Sequence, residues 1–337
     1  MKPKLSLSFV VMMVVMSSYT YAGEFRDRLR ERFQQHASTD DSETNSGLDA
    51  QDSADLGGDS AMSCEQWARK VNRLQWLAKI RNSEPEPDLK NVAYGNGNLE
   101  KLDVFLPAKK SNNAFAPMIV MVHGGGWCVG DKGGAMMTEN KVARWRPKGF
   151  VFISINYRLL PDATVQQQTQ DVATALIYIQ NHASDWHADP KQLVLMGHSA
   201  GAHLVSLLST RPAWLTSQPQ AWRTTIALDS AAYDIEKIMQ ARHARFYDQA
   251  FGNQPSNWKA LSPTLQLHQA LPNFLAVCST TRPDQPCIQA QQFVQQAQRL
   301  GTQAQLLALP LSHIEINRSL GKNNEYTEVV NQFIQTH

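Results

Sequence analysis

Gln192-Leu193-Val194-Leu195-Met196-Gly197-His198-Ser199-Ala200-Gly201 runs straight into Ala202-His203-Leu204-Val205-Ser206-Leu207-Leu208. The stretch from Gln192 to Met196 has the short apolar run of a strand buried on two faces. Ala200 to Leu208 has the composition of a helix that packs on such a strand. Between them lies G-x-S-x-G, a pattern that makes chemical sense only in this strand–turn–helix context. The turn is sharp, and glycines at 197 and 201 leave room where a Cβ would clash. It lifts the Ser199 hydroxyl above the sheet at the start of the helix, where the helix dipole favours developing negative charge.

Working outward, Met118 to Val122 is another continuous apolar run, and His123-Gly124-Gly125-Gly126-Trp127 follows it directly. Backbone N–H groups in such a glycine run can turn toward a tetrahedral oxyanion, each donor being worth about 3–4 kcal/mol. Gly125, Gly126 and the N–H of Ala200 are the expected donors. A serine needs a base. Among ten histidines, His313 sits in a short Ser-His turn just after the last strand, Gln305 to Leu309, where the chain order Ser…Asp/Glu…His places the base. His123 is expected to brace its own loop, and His198 and His203 to serve as packing. For the acid, Asp284 in Arg282-Pro283-Asp284-Gln285-Pro286 follows the strand Asn273 to Cys278 and is the expected choice. Asp229 and Asp234, after the strand Thr224 to Leu228, are its competitors.

The remaining text alternates in the same way. Leu99 to Leu106 alternates apolar and polar residues as an edge hairpin strand does, and Val151 to Ile155 is a buried strand. Helices are expected over Ala163 to His182, Gln289 to Leu300 and Glu325 to Ile334. Alternating strands and helices specify a mostly parallel sheet covered on both faces. Ile235 to Leu271 contains no convincing strand, which suggests a small helical cap.

At the N-terminus, Lys2 and Lys4 precede an apolar run from Leu5 to Met16 and a small, polar stretch ending at Ala22. This is the layout of a signal peptide over residues 1–22, and the run is shorter than the roughly 18 residues of a membrane span. No stable membrane span is therefore expected. Residues 23–63 form a polar linker, arginine-rich at first and then acidic from Ala37 to Ser63, with too little apolar content to order itself. The folded domain is expected over 64–337, opening with Trp67, Val71, Leu74, Leu77 and Ile80 at helical spacing. Export to a periplasmic or secreted location would let the four cysteines pair. Three pairings are possible. Cys278 and Cys287 flank a proline-rich turn, which favours that pair and leaves Cys64 with Cys128. Formal net charge is +2 and falls to zero without Lys2 and Lys4, so there is no electrostatic footprint for nucleic acid. No histidine or cysteine spacing suits a metal, and no cofactor is expected.

The His123–Trp127 loop, Asn156-Tyr157-Arg158-Leu159, the stretch Asp189–Leu204 and Ser312-His313 together resemble the hormone-sensitive-lipase-like branch of the α/β-hydrolase family. The resemblance extends from Leu99 to the C-terminus and implies the α/β-hydrolase fold, with hydrolysis of short-chain carboxylic esters; the sequence leaves open whether the ester is a lipid, acetyl or feruloyl-type one. It implies a catalytic triad of Ser199, Asp284 and His313, acting on a small-molecule ester without a cofactor. The family usually carries a D-x-x-V-P-like turn around its acid, and here Arg282-Pro283-Asp284 is followed by Pro286 and Cys287. Two alternatives stand beside this reading. An arylformamidase is suggested by the H-G-G-x-W pattern, although a leader peptide fits poorly with a cytoplasmic substrate. An inactive hydrolase-fold binding module would ordinarily have lost the serine or the histidine, and both are present.

Overall fold

The apolar runs become the centre of an eight-stranded sheet. The computed structural model describes residues 64–66, 69, 85–108 and 115–337. The expected leader (1–22), the linker (23–63) and the helical spacing from Trp67 to Ile80 lie outside the described residues. The strands are β1 (Leu89–Ala93), β2 (Lys101–Phe105), β3 (Ala116–Val122), β4 (Val151–Ile155), β5 (Ala188–His198), β6 (Thr224–Leu228), β7 (Asn273–Ser279) and β8 (Ala304–Leu309). Their spatial order is β1-β2-β4-β3-β5-β6-β7-β8. The pairs β1–β2 and β2–β4 are antiparallel and every other pair is parallel. β2 is thus one place in from the edge that the sequence assigned it, because β1 lies outside it.

Ten α-helices lie wholly within the described residues: α1 (Ala135–Trp145), α2 (Val165–Asn181), α3 (Ala200–Ser209), α4 (Ile235–Gln240), α5 (Arg245–Phe251), α6 (Pro255–Ala260), α7 (Pro263–Gln266), α8 (Pro286–Arg299), α9 (His313–Ser319) and α10 (Glu325–Thr336). The pleat divides the central strands by parity. Met118, Val120 and Val122 of β3 join Ile153, Leu193 and Leu195 in one core with Val172, Leu176 and Ile179 of α2 and Leu204, Leu207 and Leu208 of α3. Farther along that face, Phe274 and Ala276 of β7 pack with Ala290, Phe293 and Val294 of α8. The alternate residues Ile119, Met121, Phe152, Val194 and Met196 are equally buried from the other side. There α1 and α10 are joined by a 2.9 Å bond from Trp145 Nε1 to Asn331 Oδ1. The four short helices α4–α7 occupy the expected cap segment. No described helix is long and apolar enough to cross a membrane.

Both expected disulfides form, Cys64–Cys128 and Cys278–Cys287. The second spans only 9 residues, a loop for which the chain-entropy estimate gives about 2–3 kcal/mol. It closes the turn between β7 and α8.

From β3 the chain moves to β4 on one side, and the next strand, β5, returns to the other side of β3. Such a switch of direction opens a crevice at the carboxyl ends of the two strands concerned. Val122 at the end of β3 is level with Gly197 near the end of β5. The glycine loop and the serine turn therefore leave the sheet side by side.

Candidate active site

Ser199 has φ +55° and ψ −119°, a conformation that costs a non-glycine residue energy and is held only where its surroundings dictate it. Those surroundings are tight. A Cβ on Gly197 would lie 2.4 Å from the Gly201 carbonyl oxygen, and one on Gly201 would lie 2.3 Å from that of Val122. Both glycines of the motif are therefore required by close backbone approach. The Ser199 N–H is fixed by a 2.9 Å bond to the Leu228 carbonyl, so the end of β6 holds the turn from its other side.

The glycine loop packs against this turn: a Cβ on Gly124 would come within 2.9 Å of the Ser199 Cβ. Gly125 (φ +119°), Gly126 (φ +58°) and Trp127 (φ +63°) all adopt left-handed backbone. The Gly125 carbonyl accepts from the N–H groups of Cys128 and Val129, turning the loop back on itself. Among the described residues, the N–H groups of Gly125, Gly126 and Ala200 have no intramolecular acceptor. His123 braces the loop, its Nδ1 donating to the Gly124 carbonyl at 2.8 Å while its ring stacks on Tyr157 at 4.4 Å. Burial pushes this imidazole below its ordinary range, so it is neutral.

His313 opens α9 rather than lying in a simple turn. A capping box sets its position: the Ser312 hydroxyl accepts from Glu315 N–H and the Glu315 carboxylate accepts from Ser312 N–H. His313 Nδ1 donates to Asp229 Oδ2 at 2.6 Å. Asp229 follows β6 directly, with φ +55°, and its side chain is wholly buried. Its other oxygen, Oδ1, accepts from the Ser279 N–H at 2.7 Å. Burial alone would raise the Asp229 carboxyl. The hydrogen bond from His313 and the charges of His313 and Arg282 outweigh it and hold the group well below the ordinary carboxylate range.

Asp284 is not brought to His313, which corrects the sequence expectation. The turn closed by Cys278–Cys287 directs Arg282 inward instead, and Asp284 grips the outer side of that guanidinium through Nε (2.9 Å) and Nη2. The Asp284 side chain remains about half exposed. Asp234, the third candidate, caps α4 by accepting from Lys237 N–H. The structure thus joins His313 to Asp229, sets His198, the chain neighbour of Ser199, against His313, and packs the glycine loop on the Ser199 turn.

The contact of His198 with His313 escaped the sequence reading, while His203 packs as expected. His198, expected to be packing, places Nε2 3.0 Å from the His313 carbonyl and its ring 4.5 Å from that of His313. Burial, followed by the nearby His313, pushes His198 well below its ordinary range, so it donates as a neutral ring. His203 does pack, but as a relay: it accepts from Trp127 Nε1 at 3.2 Å and donates from Nε2 to the Leu261 carbonyl at 2.9 Å. This ties the glycine loop to the cap, whose Tyr247 and Phe251 also pack against Trp127.

On the far side of α9, Lys141 of α1 is buried and donates to the Asn317 carbonyl at 2.7 Å. Burial pushes its ammonium down to about 7. Above that value and below the free-lysine range of about 10.4, the unfolded chain binds the extra proton, so folded stability rises with pH. Thermal melts at pH 7, 8 and 9 should rise less steeply in Lys141→Met than in the wild type. Parallel slopes would show that Lys141 keeps its proton across this window.

A mostly parallel sheet with a strained serine elbow, a glycine loop at the adjacent strand end and a histidine after the last strand is the α/β-hydrolase fold. The BD-FAE family profile matches residues 102–296, and the chain belongs to that family. It is 24% identical over 240 residues to isoprenylcysteine alpha-carbonyl methylesterase ICME of Arabidopsis thaliana, covering 65% of this chain and 54% of that protein. It is 25% identical over 249 residues to the probable carboxylic ester hydrolase LipM of Mycobacterium tuberculosis, covering 70% of this chain and 57% of that protein. The chain thus spans about half the length of the curated relatives it matches. Among solved structures, esterase B from Lactobacillus rhamnosis superposes with a TM-score of 0.64 at 22% identity, covering 85% of this chain and 95% of that one. Esterase 2 of Thermogutta terrifontis superposes with a TM-score of 0.61 at 20% identity, covering 76% and 96%.

Proposed function

We propose that the protein is a serine hydrolase of carboxylic esters, with Ser199 as nucleophile, His313 as general base and Asp229 as the acid that orients it. The observation that carries this reading is the 2.6 Å bond between His313 Nδ1 and Asp229 Oδ2, beside a serine held in a strained turn. With Nδ1 committed to Asp229, the lone pair of Nε2 is left to take the Ser199 proton. The serine oxygen then adds to the ester carbonyl, and the N–H groups of Gly125, Gly126 and Ala200 stabilise the oxyanion. The imidazolium returns its proton to the alcohol as the C–O bond breaks. Water, deprotonated by the same histidine, then cleaves the acyl-serine to release the acid. Every proton is handed on by His313, and no further group is required.

Names borne by the relatives, methylesterase and carboxylic ester hydrolase, support an ester as substrate. The Phe246 ring would lie 3.7 Å from a Cβ on Gly126, so an aromatic side chain of the cap stands beside the glycine loop. The two disulfides support a periplasmic or secreted location. A hydrolysis panel tests the reading: nitrophenyl esters from acetate to palmitate, acetylated xylan and N-formyl-kynurenine. Turnover is expected on the short esters. Turnover confined to N-formyl-kynurenine would replace the esterase reading with that of an arylformamidase.

A further inference from the structure

We propose that Arg282 is a positioning residue that locks the Asp229 carboxylate onto His313, with Asp284 holding the guanidinium from its outer side. The proposal rests on the ester-hydrolase reading above. The Asp229 side chain is wholly buried, and a buried carboxylate without a fixed countercharge is costly in an interior. Arg282 supplies that charge. Its Nη1 lies 2.8 Å from Asp229 Oδ2 and 3.2 Å from the Asp229 carbonyl oxygen, so both of its protons are directed at one residue. The same Nη1 stands 3.0 Å from His313 Nδ1. Nδ1 already donates its own proton to Oδ2, which makes this contact a cation set against the ring edge.

The arrangement has two consequences. Oδ2 accepts from both neighbours and Oδ1 from Ser279, so the carboxylate cannot rotate away from the histidine. The guanidinium also opposes a second positive charge on His313, which keeps the imidazole available as a base. Asp284 sets how strong that opposition is, by balancing Arg282 from the exposed side. The supporting turn is fixed by the Cys278–Cys287 disulfide. Charged and titratable groups facing His313 come from several elements: Asp229 after β6, Arg282 from the β7–α8 turn and His198 at the end of β5, while Glu315 of its own helix is held on the Ser312 N–H. Lys141 of α1 stands behind α9. Tyr247 of α5, which senses Arg282 and Asp284, is pushed up to about 12 by burial and remains neutral.

The test measures kcat, KM and the pH dependence of kcat/KM on nitrophenyl acetate for the full chain and three variants. Arg282→Met is expected to lower kcat by about 10- to 100-fold, the scale of a misplaced catalytic group, with KM changed less than about threefold. The acid limb of its profile should move up by about one pH unit, the scale of one nearby charge. Arg282→Lys should keep the acid limb near that of the wild type but recover only part of kcat, because an ammonium cannot fork between two carboxylates. Asp284→Asn, at a half-exposed position that tolerates the change, should move the limb the other way, to lower pH. An unmoved acid limb in Arg282→Met means that Arg282 is merely structural and overturns the proposal. Should that variant fail to fold, an unmoved limb in Asp284→Asn overturns it equally. A wild type that neither turns over the ester nor labels with a fluorophosphonate sinks the underlying ester-hydrolase reading. A labelled, active wild type with unmoved variants sinks only this inference.

Discussion

Ser199→Ala is expected to abolish ester turnover and fluorophosphonate labelling while leaving the melting temperature nearly unchanged. The loss should be on the order of 10⁴–10⁶ in kcat, as for other triad nucleophiles. Little stability is at risk because the turn is held by other groups. The Ser199 N–H bonds to Leu228, and the close approaches of Gly197 to Gly201 and of Gly201 to Val122 are backbone contacts that alanine leaves in place. Alanine has the same Cβ as serine and adopts the φ of +55° at a similar cost. A purified mutant that still reacted with the probe would move the nucleophile elsewhere and remove the centre of the proposed function.

The elements most legible in the sequence were those whose faces are both buried. Val151–Ile155 and Thr224–Leu228 match their strands residue for residue, because a central parallel strand must be apolar throughout. β1 was illegible for the opposite reason. Leu89-Lys90-Asn91-Val92-Ala93 lies at the edge, mostly exposed, and its register slips between Leu89 and Val92. Asn91 sits there at φ +56° with its N–H on the Asp103 carboxylate, and such a bulge destroys the alternation that marks a strand. α1 was hidden because it buries Thr138 and Lys141 beside Val142 and Trp145, so its inward face does not look apolar.

The site was legible to the extent that it follows strand ends. The serine, the histidine and the glycine loop each come directly after a run that can be recognised. Choosing the acid required knowing which of two strand ends the histidine faces, and that depends on side-chain direction. One signal was available. Counting back from Pro286 in the D-x-x-V-P-like turn puts Arg282 where the acid would stand. An arginine there implies a carboxylate supplied from elsewhere. The support from His198 had no local signal, since it arises from contact with a residue 115 positions away.

Asp229→Asn should accordingly be the nearly dead variant, with turnover reduced by about 10⁴-fold, as the equivalent change does in the serine-protease template. An amide at this position can present its NH₂ group to His313 Nδ1. That would force the proton onto Nε2, where it would block abstraction from Ser199. Arg282 makes this orientation the expected one only in part. Its Nη1 shares Oδ2 with His313 Nδ1 while the Ser279 N–H uses Oδ1, so an amide oxygen kept at Oδ2 leaves Ser279 facing the NH₂ group, and one turned to Oδ1 leaves Arg282 facing it. Asp284→Asn should instead stay within about tenfold of the wild type, because Asp284 reaches the histidine only through the guanidinium. Burial differs as sharply as role: Asp229 is enclosed while Asp284 is half in water, so the two mutants must be compared at equal folded fraction, measured by near-ultraviolet circular dichroism. If Asp284→Asn is then the inactive protein and Asp229→Asn turns over ester at a normal rate, the acid belongs to the β7–α8 turn after all. In that case the contact between Asp229 and His313 does no more than hold α9 against the sheet.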